Sequence, residues 1–77
     1  MEMVKKYQIS TLRQKLIGKT VNFKSDCQLF PNFDVTGRVV EISLSGRIPL
    51  INVITKNGRK IHIDGGMSNL SFTILNI

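Results

Sequence analysis

The stretch Ile48-Pro49-Leu50-Ile51-Asn52-Val53-Ile54-Thr55-Lys56-Asn57-Gly58-Arg59-Lys60-Ile61-His62-Ile63-Asp64 consists of two runs rich in β-branched residues, held apart by Asn-Gly. Asn-Gly in that setting predicts a type I′ hairpin, because both central residues of the turn need positive φ. Residues 48–55 and 60–64 then form consecutive antiparallel strands, with Ile61 and Ile63 facing inward and Lys60, His62 and Asp64 outward. Upstream, Ser45-Gly46-Arg47 turns the chain out of a long strand over residues 35–44. The apolar phase of that strand shifts: Val35 and Val39 have one parity, while Val40, Ile42 and Leu44 have the other. A bulge or sharp bend near Gly37 reconciles the two. Downstream, Asp64-Gly65-Gly66 breaks the pattern, residues 67–70 turn, and residues 71–77 form a last strand with Phe72 and Ile74 in phase.

Towards the N-terminus the period changes. Val21 and Phe23 alternate with Thr20, Asn22 and Lys24 as a strand, whereas Ile9, Leu12 and Leu16 recur at helical spacing. Thr11 and Gln14 have capping-box spacing, Ser10 is an alternative N-cap, and Gly18 is placed as the left-handed residue past the helix end. A helix of about two turns is unstable alone and must lie on the sheet. Ile17 falls off its apolar stripe.

One short helix followed by five strands, one of them long and bent, predicts an all-β fold. The expected form is a small five-stranded barrel, since closure removes exposed strand edges. The helix packs across an open end through Leu12 and Leu16. Gly37, Val39 and Ile42 in the bent strand resemble the corresponding strand of Sm-like and Src-homology-3-like (SH3-like) barrels. A helix ahead of the first strand is similar to the bacterial Sm-like RNA chaperones. The resemblance spans residues 10–77 in topology. It implies the barrel class rather than a nucleotide-binding ring, because Ser43 stands where the family motif carries Asp and the family's second motif is absent. Residues 1–8 read as a basic arm, and residues 9–77 as a single small barrel domain.

Composition narrows the function. The chain has 77 residues, 42% hydrophobic and 21% charged, with a net charge of +6. That suits one globular domain with an affinity for anions. A lone cysteine, Cys27, excludes an internal disulfide and points to the cytoplasm, with the thiol buried small or held in a loop. Residues 1–6 do not lead into the roughly 7 to 15 apolar residues of a secretory leader. The most apolar run, residues 48–54, falls far short of the ~20 that cross a bilayer, so no membrane is expected.

Catalysis needs convergent titratable groups, and the chain offers one His and five carboxylates scattered as Glu2, Asp26, Asp34, Glu41 and Asp64. His62 and Asp64 share a strand face but lack a nucleophile with a defined approach. Cys27, His62 and Asp64 lack metal-ligand spacing. No catalytic residue, metal or cofactor is assigned. The basic residues are more informative. Residues 1–24 carry Lys5, Lys6, Arg13, Lys15, Lys19 and Lys24 against Glu2 alone, a net of +5, and a second cluster, Lys56, Arg59 and Lys60, occupies the hairpin tip. Lys5, Lys6, Arg13, Lys15, Lys56, Arg59 and Lys60 are the candidate contacts to the phosphates of RNA or DNA in a non-enzymatic binding module. The alternative is a small protein-binding regulator or inhibitor, of the kind mobile elements encode. Its partner would meet Leu29, Phe30 and Phe33, three large apolar residues around Pro31-Asn32. The apolar ending Leu75-Asn76-Ile77 also predicts a homodimer formed through an unclosed edge at residues 71–77.

Overall fold

The computed structural model describes residues 2–26 and 32–76, and Cys27, Leu29 and Phe30 lie outside them. Along the chain run β1 (Glu2–Met3), a 3-10 turn (Val4–Lys6), α1 (Ile9–Leu16), β2 (Thr20–Ser25), β3 (Phe33–Ser45), β4 (Ile48–Ile54), β5 (Lys60–Asp64) and β6 (Ser71–Leu75). The strands form one antiparallel sheet in the order β1-β6-β2-β3-β4-β5. The mostly-β class, with one α-helix among the described residues, agrees with the sequence reading, and the five expected strands are β2 to β6.

Two features differ from the expected five-stranded barrel. The stretch read as an arm contributes a sixth strand, because Glu2 and Met3 pair with Phe72 and Ser71. The Val4 amide then donates to the Leu70 carbonyl at 3.0 Å, and Val4 is buried in the core. The sheet is also open in its hydrogen bonding, with β1 and β5 as its two edges. A two-residue β1 is too short to span the gap, and the chain leaves it through the 3-10 turn. Apolar side chains rather than ladder bonds cover the interior. The last strand is not the expected free edge: β6 is paired with β2 along its length and with β1 at Ser71 and Phe72.

The core follows the alternation of β2, where Val21 and Phe23 are fully buried and stand opposite Ile74 and Phe72 of β6. Leu12 and Leu16 of α1 enter the same cluster, with Ile9 packed against it. The cap differs from the one expected. Gln8, extended at φ −73° and ψ 157°, precedes the helix without a side-chain cap, and Ser10 and Thr11 sit inside the first turn. The start moves forward because Ile9 belongs to the buried stripe and the preceding Tyr7 is already extended. Gly18 does end the helix in the left-handed region, at φ 85°.

The bulge in β3 falls at Val40, not near Gly37. Val39 pairs with Val53 and the next pair is Glu41 with Asn52, so Val40 is the extra residue. Its position obeys the phase change, since Val39 is the last residue of one parity and Ile42 the first buried residue of the other. Gly37 has a different job: a Cβ there would lie 2.8 Å from the Ile54 carbonyl oxygen, so strands β3 and β4 meet too closely at that point for any side chain.

Leu16→Ala removes a side chain with no exposed surface and should lower unfolding free energy by about 2 to 4 kcal/mol in urea titration. A change near zero would mean that the helix does not belong to the core. Gly37→Ala should cost about 1 to 3 kcal/mol, because the methyl group meets backbone that has nowhere to go.

Candidate nucleic-acid interface

The β4–β5 connection is a three-residue loop, not a two-residue type I′ turn. Thr55 and Arg59 form its last bonded pair, with the Thr55 amide donating to the Arg59 carbonyl at 2.9 Å, and the Gly58 amide donates back to the Thr55 carbonyl at 2.9 Å. Only Gly58 has positive φ, at 80°, so Lys56 and Asn57 occupy an ordinary turn and Gly58 supplies the left-handed step after it. Asn57 is therefore spared the strained conformation that a two-residue loop would require. Lys56, Arg59 and Lys60 are all exposed around this tip.

Register adds a fourth cation. Arg38 pairs with Ile54, and Ile54 pairs with Lys60, so the three project from one sheet face. With neighbouring strands about 4.8 Å apart, Arg38 and Lys60 stand roughly 10 Å from each other at the Cα level. Thr20 continues the row on β2. Beside it lies an open groove of about 980 Å³, to which Ile17, Val40 and Ile54 contribute apolar side chains and Arg38 and Lys56 contribute charge. Ile17 and Val40 are 41% and 45% exposed. Sequence reasoning missed Arg38 because it lies in an acidic stretch of chain. Only the β3–β4 pairing, which depends on where the bulge falls, brings it to the hairpin cluster.

The N-terminal cations are placed elsewhere. Lys5 and Lys6 are exposed in the 3-10 turn, and Lys5 shares a second depression, of about 560 Å³, with Arg47, Leu44 and Ile48. That site is at the Ile48 end of β4, whereas the hairpin cluster is at the Ile54 end. Seven extended residues separate the two ends of β4 by about 20 Å. The structure thus divides the candidate contacts between two sites. Arg13 and Lys15 have intramolecular partners: Arg13 Nε donates to the Ile42 carbonyl at 2.8 Å, fastening α1 to β3, and Lys15 Nζ lies 5.3 Å from the centre of the Tyr7 ring. Phe33 is half-buried against the core. No family model, curated protein or solved structure matches this chain. The likeness to Sm-like and SH3-like barrels therefore rests on Gly37, Val39 and Ile42 and on the small antiparallel sheet itself.

Several other polar side chains make cross-strand and turn contacts. His62 Nδ1 contacts the Asn52 side-chain oxygen across β4 and β5, and the Gly66 amide donates to Asp64 Oδ1 at 2.7 Å. Asn22 Nδ2 donates to Asp34 Oδ1 at 2.6 Å and to Thr36 Oγ1 at 2.8 Å. Among the described residues no group of three His, Cys, Asp or Glu side chains is placed to hold a metal ion, and no helix is long and apolar enough to cross a membrane.

Tyr7 is the chain's single tyrosine, and its hydroxyl donates to the Glu2 carboxylate. That hydrogen bond, with some desolvation and the nearby negative charge, raises the phenol above its ordinary pKa. The bond favours the protonated phenol, so its contribution is complete below the phenol's ordinary range and is lost as pH rises through the raised value. Spectrophotometric titration should show the phenolate forming late, and Glu2→Gln should move the midpoint back down. An unchanged midpoint would show that the contact does not persist in solution.

Proposed function

We propose that this chain is a non-enzymatic binding module that holds nucleic acid by its phosphates around the β4–β5 hairpin tip, where Arg38 and Lys60 share one sheet face and Lys56 and Arg59 lie exposed beside them. The observation that carries the proposal is the cross-strand row that places Arg38 and Lys60 on one face beside the hairpin tip. Four exposed cations within a few strand spacings, presented on a hydrogen-bonded hairpin, suit a phosphate backbone whose counterions are released on binding. The side chains are long, but the backbone beneath them is fixed by the Thr55–Arg59 pair, which limits the conformational freedom lost on binding. Lys5 and Lys6, about one strand length away, extend the footprint for a longer ligand, and Arg13 and Lys15 contribute their charge to the general field. In this reading the fold is a small SH3-like barrel left open between β1 and β5, working as a platform rather than as part of a ring.

Binding to a nucleic acid of mixed sequence, followed by fluorescence anisotropy, should weaken by tens of fold to about a hundredfold between 50 and 200 mM salt, as expected for about four phosphate contacts. Combined charge reversal at Lys56, Arg59 and Lys60 should abolish it while leaving the urea midpoint in place. Salt-indifferent binding, or affinity that survives the reversal, would refute the proposal. Recovery of one protein partner that is lost on Phe30→Ala and indifferent to the charge changes would instead favour a regulator that acts through Leu29, Phe30 and Phe33.

A further inference from the structure

The groove beside the cationic row has a composition that phosphate binding alone does not require. Its apolar contributors are Ile17, which leaves α1 in an extended conformation at φ −61° and ψ 128°, Val40, set apart by the bulge, and the half-buried Ile54. None of the three is needed to fill the core, and Ile17 and Val40 are among the most exposed large apolar side chains of the described residues. Aliphatic surface kept open between two cations marks a place where something apolar and something anionic arrive together.

We infer that the ligand is single-stranded, with bases lying over Ile17, Val40 and Ile54 while adjacent phosphates meet Arg38 and Lys56; this rests on the nucleic-acid reading above. A duplex stacks its base faces inside and offers a groove of this kind only sugar and phosphate. A single strand turns its bases out and presents apolar faces and anionic linkers in alternation along its length. The groove repeats that alternation, with Arg38 across the strands from Ile54 and Lys56 just beyond Ile54 along the chain. A second copy of the chain is a poor occupant. A symmetric contact sets a patch against itself, and this one would gather the Arg38 and Lys56 cations of both copies into one interface. The floor carries no aromatic ring, so contact is by aliphatic burial without stacking between rings, and the preference should tolerate any base.

The experiment compares single strands of 12 nucleotides, in deoxy and ribo form, with the matched duplexes at constant low salt. The wild-type chain should prefer the single strands by about tenfold. Ile17→Ser and Val40→Ser alter exposed positions and should retain the wild-type urea midpoint. They should reduce the preference to near unity without changing the steepness of the salt dependence. Lys56→Glu should weaken both ligands together. The tighter of the deoxy and ribo arms identifies which polymer supplies the strand, and equal binding shows that the site uses no 2′-hydroxyl contact. Equal or tighter duplex binding with a steep salt dependence would overturn this inference and leave the phosphate reading intact. A preference retained in both serine variants would overturn it as well. Absence of salt-dependent binding to either ligand would remove the phosphate reading itself. A dimer in sedimentation that Ile17→Ser dissociates would show that a second copy fills the groove, and would also overturn it.

Discussion

Strand β3 must bend, and the molecule depends on how it does so. Its thirteen residues pair with β2 over one half and with β4 over the other. A strand with unbroken alternation would carry Ile42 to the wrong face while keeping Val39 inside. The extra residue at Val40 removes that conflict. It keeps both ends of the strand in the core, increases local twist and curls the sheet around α1. The Arg13 bond to the Ile42 carbonyl fastens the helix to the segment just past the bulge. The helix, the bend and the core are thus one arrangement.

The same bulge determines the electrostatics. The β3–β4 register places Arg38 level with Ile54, and the hairpin places Lys60 level with the same residue. A register one residue different would send Arg38 to the core face, where an unpaired guanidinium cannot be accommodated. The charge pattern of the outer face is therefore tied to the packing pattern of the inner one. It also leaves Val40 and Ile17 as an apolar margin that neither the core nor the solvent requires.

Much of this was legible in the residues, and the failures have physical causes. The helix, the five longer strands, the inward phase of Val21 and Phe23, and the αL role of Gly18 follow from local periodicity and turn chemistry. Asn-Gly locates the hairpin but does not determine its loop type, since it fits two turn geometries and the pairing of Thr55 with Arg59 decides between them. Glycine is the usual bend marker and draws the expected bulge to Gly37, whereas the extra residue is Val40 and Gly37 is required by its approach to the Ile54 carbonyl. Met3 and Val4 gave no signal as structure, because two residues of strand and a short 3-10 turn have no periodicity to read. In the candidate site, Lys56, Arg59 and Lys60 were evident from sequence proximity. Arg38 was not, since it joins them only through a non-local register, and the separation of Lys5 and Lys6 from the hairpin is likewise a matter of topology.

The sheet order has a kinetic corollary. β2 through β5 form a meander whose pairings join neighbours in sequence, and such contacts form early. β6 belongs next to β2, so Phe23 does not meet Phe72 until segments almost fifty residues apart are brought together. β1 then needs β6 in place before it can pair at all. A chain emerging from synthesis would hold the meander with one side of β2 uncovered and its largest apolar side chains exposed, until residues 71–75 arrive and complete the interior.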